Sequence, residues 1–337
     1  MEFQAKLNPR KRTILKAVVR DYVLTAEPVG SRTLARRYDL GLSPATIRNE
    51  LADLEADGLI RQPHPSSGRI PSDWGYRFYV DHLMERAPLS PEKERFARDF
   101  QNFSRDLHDL LLHTAKLTSV LAGCTAIVRA PRFSQSRIKH LQLVAIGERE
   151  AMLVMLTDRG GVTNQFVRLP VSMEPGELGI LSNFLNAHLK GHAIDGATRA
   201  ALSRASEEMR VYQDFLEQLW EGIQGSISEK VYLANTSFLA QQPEFELERI
   251  GRLLDFLERD EQVAGLMDSL FEDDRIRVVI GGENPVPELR DCSMVSASYS
   301  VGDTIVGELG VIGPTRMDYA KAIHAIETMS DRLSAVL

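Results

Sequence analysis

The sequence predicts an α+β multidomain protein that begins with a winged helix-turn-helix, and three observations carry the prediction. A chain of 337 residues exceeds what one hydrophobic core usually organises, so two or three domains are expected. Helical apolar spacing and strand-like runs both occur, in separate blocks. Basic residues crowd the N-terminus of a chain whose net charge is −7. Residues 1–48 carry ten basic side chains (Lys6, Arg10, Lys11, Arg12, Lys16, Arg20, Arg32, Arg36, Arg37, Arg48) against four acidic ones (Glu2, Asp21, Glu27, Asp39), a local balance of +6 that leaves −13 for the remainder. An even spread of negative charge would argue against a polyanionic partner, because binding one draws on Lys and Arg to displace counterions from phosphates. The asymmetry points instead to a basic module joined to an acidic body.

Asn8-Pro9 reads as a helix start, Asn as N-cap and Pro at the first helical position, where its missing N–H costs nothing. Ile14, Leu15, Val18, Val19, Tyr22 and Val23 follow as one apolar stripe. The segment Thr25 to Gly30 breaks this helix, and Ser31 is expected to cap a short second one in which Leu34, Ala35 and Tyr38 share a face, with Arg32, Arg36 and Arg37 largely off it. Ser43-Pro44 repeats the cap-plus-proline signal. The third helix, about 44–57, buries Ile47, Leu51 and Leu54 and turns Ala45, Thr46, Arg48, Asn49 and Ala52 outward.

An α-helix fits the major groove, where Arg grips guanine bidentately, Asn grips adenine, and the methyl groups of Ala45 or Thr46 meet a thymine methyl. Glu50, Asp53, Glu55 and Asp57 would repel phosphate, so the far end of that helix should point away from the backbone. Gly58 ends it. Leu59-Ile60-Arg61, a turn-rich stretch from Gln62 to Gly68, and Arg69-Ile70-Pro71 then form a hairpin wing whose flexible tip bears Arg69 beside Ser66 and Ser67, suited to phosphate or the minor groove. Residues 1–86 thus read as a DNA-binding domain. The candidate contacts are Arg12, Lys16, Ser31, Arg32, Ser43, Ala45, Thr46, Arg48, Asn49, Ser66, Ser67 and Arg69. Three helices and a hairpin also serve as packing, dimerisation or protein-binding modules, and His64 reads as a loop residue and not a ligand. The local charge and the outward Arg48-Asn49 pair favour DNA.

Beyond a linker at Pro88 to Pro91, residues 92–121 space Phe96, Phe100, Phe103, Leu107, Leu110, Leu111, Leu117 and Leu121 as a long amphipathic helix, read as core or dimer seam. Strand-like runs follow at 124–130, 138–146, 151–157 and 162–169, with Gly160-Gly161 in a turn. Helical patterns occupy about 174–190, 197–222 and 245–270, strands return at 275–280, 292–299 and 304–312, and a final helix runs from about 316 to 337. A sheet that is begun, interrupted by helices and resumed is the pattern an insertion produces.

Composition excludes other classes. With 43% hydrophobic and 26% charged residues the chain is ordinary and globular. No apolar run approaches the roughly 20 residues of a membrane span, and the N-terminus lacks the apolar core of a signal peptide, so a cytoplasmic location is expected. Cys124 and Cys292 are far apart with no CxxC pair, which encodes neither a disulfide framework nor a zinc site. The motifs GxSxG, HExxH, GxxxxGK[ST] and GxGxxG are absent; Gly307, Gly310 and Gly313 fall at intervals of three and mark a strand and its turn. No enzyme, cofactor or metal is expected. Two classes remain: an operator-specific repressor, or a ligand-binding or chaperone-docking module with the helix-turn-helix as scaffold.

Several strings are distinctive: Pro28-Val29-Gly30-Ser31-Arg32, Ser43 to Glu55, Gly58-Leu59-Ile60, His64 to Ser72, Gly75 to Val80, Ile280 to Asn284, and Gly310 to Tyr319. Together they resemble the HrcA family of bacterial heat-inducible transcription repressors, and they bracket nearly the whole chain. Ile280 to Asn284 satisfies the family's Ile-Gly-x-Glu-Asn, with Gly282 at the free position. The resemblance implies a homodimer that binds the inverted-repeat CIRCE operator ahead of chaperone operons of the groE and dnaK type, with activity dependent on the GroEL chaperonin. It also implies a GAF-like α+β domain, placed at 92–170 and 262–337, carrying an inserted, mainly helical or mixed dimerisation domain at 171–261. Residues from about 178 to 240 match no familiar string.

Overall fold

The computed structural model describes residues 7–85, 107–131, 137–158, 162–193, 230–270, 276–302 and 304–337. Three helices and a two-stranded ribbon come first: α1 (Pro9–Thr25), α2 (Ser31–Arg37), α3 (Pro44–Ala56), β1 (Ile60–Arg61) and β2 (Ile70–Pro71). Asn8 caps α1 by accepting a hydrogen bond from Lys11 N at 2.8 Å, and Ser43 caps α3 by accepting from Thr46 N at 3.1 Å, each ahead of a proline at the first helical position. Ile14, Leu15, Val18 and Val19 from α1, Leu34 from α2, and Ile47, Leu51 and Leu54 from α3 are buried in one cluster. At about 1.5–3 kcal/mol for each fully buried aliphatic side chain, that shared stripe outweighs what these short helices contribute alone. Ser31 does not cap α2; Gly30 holds that position in an extended conformation without a side-chain bond, and Ser31 is already helical.

A further helix, α4 (Asp73–His82), follows the ribbon, capped by Ser72. The body then comprises α5 (Leu107–Ala122), β3 (Thr125–Arg129), β4 (Ile138–Gly147), β5 (Glu150–Thr157), β6 (Val162–Arg168), α6 (Pro175–Leu189), β7 (Val231–Ala234), α7 (Ser237–Ala240), α8 (Leu247–Leu257), α9 (Asp260–Leu270), β8 (Arg277–Ile280), β9 (Cys292–Val301), β10 (Thr304–Pro314) and α10 (Tyr319–Val336). The pattern read as one helix over 245–270 divides at Glu258-Arg259, where Val263 N already bonds to Arg259 O to begin α9. The linker at 88–91, the first half of the 92–121 helix, the turn at 160–161 and the 197–222 helix lie outside the described residues.

Five strands form one sheet in the order β7-β3-β10-β9-β8, antiparallel throughout. Its alternation fills two cores. Val128, Val311 and Val295 lie in one cluster with α5 and α10, whereas Ile127, Ile312 and Met294 lie in the other with α8 and α9, a sheet covered on both faces. Arg129 is fully buried at the end of β3. Its guanidinium reaches Asp268 at 2.7 Å and Glu308 at 3.2 Å, and its carbonyl accepts from the Tyr299 hydroxyl at 2.6 Å, so α9, β10 and β9 converge on one compensated charge. Burial pushes both the Cys124 and Cys292 thiols up to about 12, which leaves neither a nucleophile near neutrality.

The compact units divide the chain as residues 1–130 with 231–337, and 131–230. This corrects the limits read from the sequence. Strands β4 to β6 fall within the interrupting unit, and residues 231–261 return to the flanking one. The reason is register: Arg129, at the end of β3, is the antiparallel partner of Val231, at the start of β7, so the excursion leaves and rejoins the sheet at one place. Nor does residue 86 mark a boundary between units, because the apolar cluster of α1 to α3 continues through Tyr76 into α5 and α10.

Within 131–230, β4-β5-β6 form a separate antiparallel sheet. Leu141, Leu143, Leu153, Met155 and Val167 pack on Leu178, Leu181, Leu185 and Leu189 of α6. Leu143 N donates to Ser182 Oγ at 2.9 Å, and Asn186 both accepts from Leu141 N at 2.9 Å and donates to Leu141 O at 2.6 Å, so the helix satisfies the edge of β4. The other sheet face carries Val144, Ile146 and Phe166, the last 76% exposed.

Candidate nucleic-acid interface

Helix α3 has two unlike faces. Ile47, Leu51 and Leu54 turn inward, while Ala45, Arg48, Asn49 and Ala52, at spacings of three and four, form an exposed stripe near its N-terminus. Ser43 Oγ and Thr46 Oγ1 lie 2.9 Å apart, so both hydroxyls are engaged in the cap and fix where the stripe begins. Arg48 and Asn49 have no hydrogen-bond or ionic partner among the described residues, which leaves a fork of donors and an amide free to meet a base edge.

The C-terminal half is neutralised by its neighbours. Glu50 meets Arg10 at 3.4 Å, Asp53 and Asp57 meet Lys11 at 3.3 and 3.2 Å, and Glu55 meets Arg69 at 2.8 Å. These contacts change the standing of several candidates. Arg69 is not a tip residue: its backbone bonds to Val29 in both directions, its guanidinium holds Glu55, and its side chain is only 21% exposed. Lys16 holds Glu85 at 2.5 Å, with Arg20 on the same carboxylate at 3.2 Å. Arg37, off the apolar face of α2, pairs with the buried Asp21 at 2.8 Å. Arg12 is exposed and uses Nε on Leu7 O, and the rest of its guanidinium has no partner among the described residues.

On α2, Ser31 is half-exposed, and Arg32 and Arg36, four residues apart, are both exposed on one face; only the first of these arginines stood among the sequence candidates. The wing loop is held from within. Gln62 donates to Pro65 O at 2.8 Å and Ser67 O at 3.0 Å, and Ser67 Oγ bridges His64 N and O, so Ser66 stands exposed while Ser67 is structural. Arg61, exposed on β1 beside the buried Ile60, is a wing cation that sequence reasoning passed over, although the alternation of Ile60 and Arg61 signals it.

The family model described as the HrcA protein C terminal domain matches residues 108–323. A protein of Desulforamulus reducens named heat-inducible transcription repressor HrcA is 42% identical over 98% of this chain and 97% of its own length. The chain belongs to the HrcA family. Like-named HrcA relatives from Symbiobacterium thermophilum (97% of this chain, 98% of that one) and Pelotomaculum thermopropionicum (98% and 97%) are each 41% identical. HrcA relatives carry the name of transcription repressors, a class of regulators and not of enzymes. One solved structure, a crystal structure of a hypothetical protein at 2.2 Å resolution, superposes with a TM-score of 0.69 at 24% identity over 98% of both chains, a likeness of fold. No helix among the described residues is long and apolar enough to cross a membrane.

Proposed function

We propose that this chain represses heat-shock chaperone operons of the groE and dnaK type by binding the inverted-repeat CIRCE operator as a homodimer. One observation carries the reading: Arg48 and Asn49 stand exposed, with no partner among the described residues, on the first turns of a capped helix whose opposite face is locked into the core. Residues 9–71 are a winged helix-turn-helix, α3 is its reading helix, and Ala45 and Thr46 present methyl groups beside the two polar readers. Arg12, Arg32, Arg36 and Arg61, which hold no carboxylate among the described residues, supply positive charge for phosphates. Ser31 and Ser66 are short donors at the margins. Lys16 and Arg69 join only by exchanging a carboxylate for a phosphate, a change that exposed pairs, worth at most about 1 kcal/mol, tolerate.

One winged helix reads too few base pairs to find a single genomic site, and two-fold protein symmetry matches an inverted repeat. The five-stranded sheet with its helices is the GAF-like body, and residues 131–230 form the dimerising insert, whose exposed Val144, Ile146 and Phe166 offer an apolar seat for a second copy. Repression is occlusion of RNA polymerase, and dependence on GroEL links it to the load of unfolded protein.

A gel-shift titration of the full chain on the inverted repeat and on a scrambled duplex tests this reading. Tight, discriminating binding is expected, with Arg48→Ala or Asn49→Ala each losing about 1–3 kcal/mol and relaxing specificity at one base position. Equal affinity for both duplexes at low salt would sink it. Repeating the titration against temperature, with and without GroEL, isolates the chaperonin: a steep loss that GroEL leaves unchanged refutes its part.

A further inference from the structure

Two of the distinctive strings, Gly75 to Val80 and Ile280 to Asn284, lie about 200 residues apart in sequence and meet in the fold. Helix α4 is fastened on two sides along its first half. Toward the reading helix, Ser72 Oγ donates to Gly58 O at 2.6 Å and Ser72 N to Leu59 O at 3.1 Å. Gly75 packs so closely on the Leu59 carbonyl that a Cβ there would lie 1.9 Å from its oxygen. Toward the body, Arg77 grips Glu283 through both Nε, at 2.9 Å, and Nη2, and the same Nη2 donates to Val278 O at 2.6 Å on the edge strand β8. Glu283 is oriented by Ile280 N at 2.9 Å, and Asp73 accepts from Gly282 N at 2.8 Å. Gly281 has φ +52° and would place a Cβ 2.3 Å from the Asp73 carboxylate, so any other residue there would be strained and would displace that carboxylate. The buried rings of Tyr76 and Tyr319 lie 5.8 Å apart beneath these bonds.

Among the described residues Arg77 makes no hydrogen bond or ion pair with α3, and the bidentate guanidinium–carboxylate pair is directional in a way a point charge is not. We infer that α4 and the 281–284 turn form a latch that sets the orientation of α3 relative to the body sheet, making Arg77 and Glu283 positioning residues for operator binding. The inference rests on the operator reading above. A latched reader reaches two half-sites only at a fixed separation and angle, whereas a loosened one still reads a single half-site.

The test uses the full chain carrying Ala56→Cys on α3 and Asp331→Cys on α10, both exposed positions, spin-labelled for a pulsed-EPR distance measurement; the buried native thiols stay unlabelled. With the labelled chain diluted into an excess of unlabelled chain, so that only the pair within one protomer contributes, a narrow distance peak is expected in the parent protein and a broad distribution in Arg77→Ala. On DNA, Arg77→Ala should keep its half-site affinity, lose roughly tenfold on the full repeat, a typical coupling between separated sites, and lose its preference for one half-site spacing. Arg77→Lys and Glu283→Gln, which preserve bulk, should fall between and keep the test decisive should the alanine variant fail to fold. An unchanged distance width overturns the latch, as does a parallel loss on half-site and full operator. Failure of the parent protein to distinguish operator from scrambled DNA would sink the operator reading alone, since the distance measurement needs no DNA.

Discussion

The two halves of α3 carry similar numbers of polar side chains and treat them in opposite ways. In the first half, Ser43 and Thr46 close the cap while Arg48 and Asn49 are left open to solvent. In the second, Glu50, Asp53, Glu55 and Asp57 each meet a cation from α1 or the ribbon. Half of the ten N-terminal cations are therefore committed inside the module: Arg10, Lys11, Lys16, Arg20 and Arg37 hold carboxylates, as does Arg69 of the ribbon. On the proposed reading, a local charge balance locates the polyanion-binding module, and its contact surface is drawn by the cations with no ionic partner among the described residues, chiefly Arg12, Arg32, Arg36, Arg48 and Arg61.

Three substitutions probe that division, in falling order of effect. Ile47→Ala removes a side chain with no exposed surface beneath both halves at once, and denaturant unfolding should show a loss of about 2–5 kcal/mol, with operator binding lost in proportion to the unfolded fraction. Ser43→Ala strikes the open half alone; a loss of about 0.5–2 kcal/mol in stability is expected, and a value near zero would show that the cap does not hold the reading stripe in place. Asp57→Asn strikes the paired half and should cost at most about 1 kcal/mol, because half-exposed surface pairs are weak. It should also free part of Lys11, so the salt dependence of DNA binding should steepen slightly. A shallower slope would mean that Lys11 is not within reach of phosphate.

The first three helices were legible because their signals are local. Asn8-Pro9 and Ser43-Pro44 mark starts, and a stripe at spacings of three and four is a property of a few consecutive turns. What the sequence hides is what depends on distant partners. Arg69 sits in a turn-rich stretch and reads as a free tip; only the fold reveals Glu55 and Val29 beside it. Ser31 has the right chemistry for a cap, but Gly30 takes the position because its backbone is extended there. Helix α4 carries Trp74, Gly75, Tyr76, Phe78, Tyr79 and Val80, all modest or poor helix formers, and is stabilised by what it packs against; its local signs are confined to its termini, Ser72 and Asp73 at the start and His82 at the end. The strands at 138–168 were found as strands and assigned to the wrong sheet, since pairing is set by register between segments and no periodicity encodes it. The insertion point became visible only once β7, four residues long, was seen against β3. Likewise, Arg129 gives no hint in sequence that Asp268 and Glu308 await it.

The way α4 is fastened bears on what happens when the chain is cut. A fragment ending at Glu85 would contain every reading residue named above, yet it would strip Tyr76 of its packing against Tyr319, leave the Asp73 and Arg77 side chains without Gly282 and Glu283, and release Val23 O from Arg316. Such a fragment would present an aromatic patch to water at a newly made surface and tend to self-associate. The reader is thus not a portable cassette. Grafted onto another body, it would need a turn that reproduces the backbone of residues 280–284 before its α4 could seat.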